Sequence, residues 1–240
     1  MTNPSDHAVI IGGTSGIGLA TAKRLLDLGM KVTIAGRNKQ RLTAAAASLS
    51  GKVEARLLDA ADTAQTLDFF KALGAFDHLV LALGSGRGMG PFATLDLREV
   101  RRGFEEKVWP HLSCAQAALP TIRKDGSITF VSAVSGQMAG PGTTGLAAAN
   151  GALNIVTPIL AAELRPLRVN AVSPGVIDTP WWHFIEAEQR QAVFADYAGK
   201  SPVGRIGAPD DVAKAIAFLI LDSFVTGHVL TCDGGLRLAA

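Results

Sequence analysis

Ten residues near the start of the chain carry the first recognisable chemistry: Val9-Ile10-Ile11-Gly12-Gly13-Thr14-Ser15-Gly16-Ile17-Gly18. An apolar run ends in a glycine-rich turn and a helix begins near Ile17. Gly12, Gly16 and Gly18 would let the backbone turn sharply, approach a pyrophosphate and pack helix on strand, while the helix N-terminus offers its free N–H groups to the anion. Thr14, Ser15 and Ile17 complete the expected cradle. The same spacing also suits a plain strand-to-helix turn that needs glycine only for geometry, so the rest of the chain has to decide. The second signal is Gly36-Arg37-Asn38-Lys39, which follows the β-rich run 31–35. A carboxylate at this point would bond an adenosine ribose 2′-hydroxyl. Here a guanidinium stands instead, which favours a 2′-phosphate and hence NADP(H). A solvated helix start is the other reading of Arg37 and Lys39.

The elements that must hold these residues follow from composition and order. The chain has 240 residues, 48% of them hydrophobic, and a mean hydropathy of +0.26, enough to bury the core of a single α/β domain. Twenty-three basic against 21 acidic residues leave a net charge of +2, which argues against nucleic acid or an anionic membrane surface as partner. Cys114 and Cys232 are the only cysteines and read as reduced thiols. No metal-ligand spacing is present. The N-terminus lacks signal-peptide character and no apolar run approaches membrane length, so a cytoplasmic protein is expected.

Strands are expected at 53–58, 78–83 and 126–131, with helices at 39–49, from about 60 to 73, and through 104–118. Asp59 lies at the end of the third strand, where ligands bind in doubly wound sheets, or else caps the following helix. Pro110 is expected to kink its helix and free a carbonyl. Lys107 and His111, four apart, share a face there. Asp210 or Asp211 should cap a helix that continues through Leu221.

The glycine spacing, the stretch 126–136, Asn170-Ala171-Val172-Ser173-Pro174-Gly175, the segment 202–213 and the terminal Asp233-Gly234-Gly235 resemble the short-chain dehydrogenase/reductase family over nearly the whole chain. The resemblance implies a Rossmann-type, doubly wound, seven-stranded parallel sheet of order 3-2-1-4-5-6-7. It implies cofactor contacts at Asn38, Asp59 near the adenine, Gly84, Pro174, Gly175 and Ile177 near the nicotinamide, and Thr179 near the pyrophosphate. It also implies a substrate lid over about 176–207 and assembly as a homodimer or homotetramer. In that lid Trp181 and Trp182 suit an aromatic or quinonoid substrate, or else an apolar flap or subunit contact.

The catalytic tetrad of the family is asparagine, serine, tyrosine and lysine. The same positions here are Lys107, Ala133, Leu146 and Asn150. A lysine and an asparagine have in effect exchanged helices. Losing a positioned acid costs about a hundred- to ten-thousandfold in rate, which a strongly activated acceptor such as a quinone or diketone tolerates. Lys107 is therefore the candidate cation, with Ser132, Ser135 and Asn150 as oxygen-orienting or ribose-binding groups. Tyr197 with Lys200 is a second candidate acid. The expected activity is hydride transfer between NADP(H) and a small carbonyl, quinone or alcohol. A catalytically silent NADP(H) sensor or partner subunit is the alternative.

Overall fold

A computed structural model describes residues 6–239. Seven strands form one parallel sheet in the order β3-β2-β1-β4-β5-β6-β7. They are β1 (His7–Ile11), β2 (Lys31–Gly36), β3 (Val53–Leu57), β4 (Phe76–Leu81), β5 (Ile122–Val131), β6 (Arg168–Pro174) and β7 (Val229–Cys232). The helices are α1 (Gly16–Asp27), α2 (Lys39–Ala47), α3 (Thr63–Leu73), α4 (Leu97–Gly103), α5 (Trp109–Ala118), α6 (Thr144–Glu163), α7 (Ala187–Lys200) and α8 (Pro209–Leu221).

Strand side chains alternate between two buried layers, as the period of two requires. Ile10, Val32, Val80 and Val172 pack with Leu25, Leu42 and Ile216 from α1, α2 and α8. Val9, Ile11, Leu79, Ile128 and Val169 pack on the other face with Phe70, Cys114 and Ala161 from α3, α5 and α6. The reversal of strand order beside β1 opens a crevice at the carboxyl ends of β1 and β4, where such folds bind ligands.

Several local expectations are corrected. β4 runs from Phe76 to Leu81, earlier than 78–83, and β5 begins at Ile122 because Phe76 pairs with it across an irregular register. The last strand, which the sequence pattern places from Val225, begins only at Val229, since Asp222 first draws the N–H groups of Phe224 and Val225 into a turn. Asp62, not Asp59, caps α3 by accepting from Ala64 and Gln65. Asp211 accepts the Ala208 N–H at 2.8 Å from within the first turn of α8. Pro110 does not simply kink its helix. The chain absorbs the missing donor in a π turn, Phe104–Val108, between α4 and α5, in which the Trp109 N–H reaches back to the Phe104 carbonyl. α6 does reach the length and apolarity of a membrane span, with 20 residues and a mean hydropathy of 1.4. Its Ala149, Leu153 and Ala161 are buried against the domain, while Ile155 and Ile159 face outward.

Candidate active site

The turn from β1 into α1 is built for close approach. Gly12 has φ +86°, and a Cβ there would lie 2.5 Å from the Ala82 carbonyl oxygen, while a Cβ on Gly18 would collide with the Gly12 carbonyl. Gly16, at φ +51°, packs against Thr179 from the exit of β6. Ser15 precedes α1 in extended backbone without a side-chain cap, and the first turn carries no acidic residue. The helix N–H groups and their dipole are thus free for an anion. Thr14 and Ile17 lie in this same turn, Thr14 against Gly36 at the end of β2.

Arg37 is exposed at the end of β2. Asn38 has its side chain engaged in the fold, its Oδ1 accepting the Arg41 N–H at 2.9 Å as the cap of α2. Sequence reasoning passed over Arg41, whose Nη2 donates to Ser15 Oγ at 3.0 Å and so spans from α2 to the phosphate loop. Its place one turn into the helix capped by Asn38 was the available signal. Asp59 stays at the end of β3, its Oδ1 accepting from Ala61.

After β4 the chain passes through Gly84, Ser85 and Gly86. Trp181 lies over these glycines and donates its ring N–H to the Ser85 carbonyl at 3.3 Å. Ser85 and Arg87 in turn bond Glu106, beside Lys107 in the π turn. Pro174 ends β6, and a Cβ on Gly175 would lie 2.8 Å from Asp233, so the backbone after the strand runs close to the terminal Asp-Gly-Gly. Ile177 bridges to Gly207, and Gly207 N–H donates to Val176, which pinches the base of the 176–207 segment. Within that segment Trp181, Trp182 and Phe184 form an edge-and-face cluster, joined by Phe194 and Tyr197 from α7. Tyr197 packs on Trp182, and Lys200 pairs with Asp196 at 2.6 Å. Nothing in these contacts directs the pair towards the β5 exit.

Lys107 is 7% exposed. Its Nζ donates to the Ser132 carbonyl at 3.4 Å, and burial alone pushes it down to about 8. Among the described residues no carboxylate pairs with it. The glutamates nearby in sequence, Glu99, Glu105 and Glu106, pair with Arg102, Arg101 and Arg87. His111, fully buried, places Nδ1 2.7 Å from the Lys107 carbonyl and Nε2 3.0 Å from the Leu81 carbonyl, and the neutral ring donates its one N–H to one of them. It thereby ties the π turn to the end of β4. Burial, reinforced by the neighbouring Lys107 charge, pushes the imidazole down to about 3.

The remaining candidates divide. Ser132 Oγ donates to the Val172 carbonyl at 3.3 Å and extends the β5–β6 pairing. Ser135, in a short turn after Ala133, accepts from Asn150 Nδ2 at 3.1 Å, and the same amide donates to the Leu146 carbonyl. Asn150 is 3% exposed, and its Oδ1 has no hydrogen-bond partner among the described residues. A buried amide oxygen without a donor is costly and suits a ligand hydroxyl or N–H. The π turn packs on α6 through Val108, Ala149 and Leu153, so Lys107 and Asn150 sit on adjoining elements. The glycine cradle, the free helix N-terminus and this orphaned acceptor together fit a dinucleotide.

Comparison with known proteins agrees. A family profile described as Enoyl-(Acyl carrier protein) reductase matches residues 12–237. The chain is 33% identical to "Short-chain dehydrogenase/reductase ATR9" of Stachybotrys chlorohalonatus, over 95% of each protein. The chain belongs to the short-chain dehydrogenase/reductase family. Another relative, "3alpha-hydroxysteroid dehydrogenase" of Mediterraneibacter gnavus, is 31% identical over 96% of each. Among solved structures, a small-chain dehydrogenase in complex with NADPH superposes with a TM-score of 0.84 at 30% identity, covering 98% of this chain and 99% of the other. ElxO with NADP bound gives 0.87 at 25% identity, covering 97% and 98%. These short-chain dehydrogenase/reductase relatives are oxidoreductases, and the NADPH and NADP complexes show nicotinamide dinucleotides bound on this architecture.

Proposed function

We propose that the chain is an NADP(H)-dependent oxidoreductase acting on a small carbonyl, quinone or alcohol, with Lys107 in place of the hydroxyl acid used elsewhere in the family. The observation that carries this reading is a buried lysine at the β5 exit with no counter-ion among the described residues. An unpaired buried charge destabilises the fold, and a ligand oxygen that becomes negative during reduction is the partner that offsets it.

Gly12, Gly16 and Gly18 would admit the pyrophosphate at α1, with Thr179 against it. Arg37, Arg41 and Ser15 would hold a 2′-phosphate, and no carboxylate stands at the end of β2 to favour NAD(H). Asp59 would face the adenine; Gly84, Pro174, Gly175 and Ile177 would line the nicotinamide. The bound nicotinamide supplies or accepts the hydride. Asn150 Oδ1 accepts from a ribose or substrate hydroxyl, and Ser135 fixes the amide that presents it. Lys107 holds the substrate oxygen and gives or takes its proton. The 176–207 segment excludes water.

NADPH absorbance followed with purified protein over ketones, diketones and quinones, beside Lys107→Ala and with NADPH binding measured in the same samples, tests this. Turnover that collapses in the variant supports it; unchanged turnover and NADPH affinity overturn the role of Lys107. Ala133 and Leu146, apolar where the family keeps hydroxyls, favour a second reading, a silent NADP(H) sensor or partner subunit, for which binding without turnover on any acceptor is the signature. Trp109, Ile155 and Ile159 are exposed on α5 and α6 and suit a homodimer or homotetramer, checked by sedimentation. The two free thiols suit a reducing, cytoplasmic setting.

A further inference from the structure

Ser85 faces two ways. Its carbonyl accepts the ring N–H of Trp181 at 3.3 Å, and its hydroxyl donates to Glu106 Oε2 at 2.8 Å. The first bond reaches the 176–207 segment and the second the π turn between α4 and α5. The loop that carries Ser85 is braced against that turn. The Arg87 N–H donates back to Ser85 Oγ at 3.2 Å, Arg87 Nε donates to the other Glu106 oxygen at 3.1 Å, and Arg87 Nη1 donates to Glu99 at 3.1 Å. A Cβ on Gly103 would lie 3.5 Å from the Arg87 carbonyl oxygen, so the loop runs along the helix just before the π turn.

Glu106 and Lys107 are neighbours in the π turn and point apart, one exposed and the other buried. Successive helical side chains stand roughly 100° apart around the axis, so anchoring one fixes the direction of the next. Glu106, held outward by Ser85 and Arg87, keeps Lys107 turned inward to the Ser132 carbonyl. A π turn carries one extra residue, and its loss would rotate the flanking side chains by about the same angle. Resting on the role given to Lys107 above, we infer that Ser85 is a positioning residue, through whose two bonds the seat of Trp181 in the lid and the inward direction of Lys107 are set together. When Trp181 leaves, the Ser85 carbonyl loses its donor, the loop slackens and Glu106 loses part of its anchor. The cation is then in place only while the segment is closed.

Trace acetylation of the full chain with acetic anhydride reads Lys107 without turnover, with exposed Lys52 as the internal standard and peptide mass spectrometry as the detector. Ser85→Ala keeps the carbonyl for Trp181 and removes the donor to Glu106; Trp181→Phe keeps an aromatic ring and removes the N–H. Each is expected to raise Lys107 labelling about fivefold, the release that one lost hydrogen bond allows, and Ser85→Thr, which keeps the hydroxyl, to label as the wild type does. The double variant should label no faster than either single one, because both act along one path. Labelling unchanged in either single variant, or gains that multiply, overturns the coupling. On a reducible acceptor the same two variants should lower kcat about tenfold and leave KM for NADPH unchanged, again without adding. If Lys107→Ala turns over like the wild type, the role of Lys107 in reduction falls while the labelling still decides the coupling. If Lys107→Ala abolishes turnover and Ser85→Ala leaves kcat unmoved, the positioning role is overturned and the reductase reading stands.

Discussion

The Lys107 ammonium lies 3.4 Å from the carbonyl oxygen of Ser132 and has no carboxylate partner among the described residues. Burial favours its neutral form and holds it at about 8. If Lys107 donates the proton, reduction falls as pH rises through about 8 and the reverse oxidation gains over the same range. A kcat/KM profile measured from pH 6 to 10 checks this, and a flat profile removes Lys107 from proton transfer.

The same burial makes Lys107 a liability for the fold. The drop from an ordinary 10.5 to about 8 corresponds to about 3 kcal/mol of charge burial at neutral pH. The unfolded chain holds its proton longer than the folded one, so stability should rise between pH 8 and 10.5. Lys107→Met, of similar length and without charge, is expected to raise Tm at pH 7 by roughly 6–12 °C while reducing turnover. Calorimetry on the two proteins at one pH decides it.

At the opposite end of the sheet His7 bonds Thr33 Oγ1 at 2.8 Å, and burial, helped by Lys31, lowers the imidazole to about 4. Its folded value lies below its unfolded value of 6.5, so the stability it contributes is complete above about 6.5 and is lost as pH falls towards 4. The loss amounts to at most about 3 kcal/mol. His78, also lowered by burial, adds to it in the same direction. His7→Gln should flatten the dependence of the denaturation midpoint on pH between 7 and 4.

Arg41 reaches Ser15 across the phosphate loop. Arg41→Ala should weaken NADPH by about ten- to a hundredfold, as expected for a charge-assisted contact to phosphate, and leave NADH nearly unchanged. Fluorescence titration with both nucleotides checks it. Equal loss for both would place Arg41 at the loop itself and not at the 2′-phosphate.

Gly12 cannot accept a side chain without displacing the Ala82 carbonyl, and its φ of +86° is strained for any other residue. Gly12→Ala is expected to lower NADPH affinity at least about tenfold and to cost about 1–3 kcal/mol of stability. Gly74→Ala, also at positive φ but in open space, should cost stability and leave NADPH binding intact.

The sequence by itself determined the family architecture. The glycine spacing at 12–18, the apolar runs of β1, β2, β4 and β6 and the terminal Asp-Gly-Gly are local patterns, and together they carry the resemblance that implies the strand order. Set against the family's spacing, counting along the chain also put Lys107, Ala133, Leu146 and Asn150 where the resemblance expects the tetrad. Tertiary structure alone decided what those side chains touch. The isolation of Lys107 depends on glutamates one to eight residues away being drawn to Arg87, Arg101 and Arg102. The contact of Arg41 with Ser15 joins residues 26 apart in sequence, and Trp181 meets Ser85 across 96. Ser132 and Ser135, alike in sequence, differ because one finishes the β5–β6 ladder and the other lies in the turn that faces α6. Backbone preferences act over a few residues and leave their mark in the sequence. Side-chain partners and the solvent they exclude are fixed only when distant elements pack.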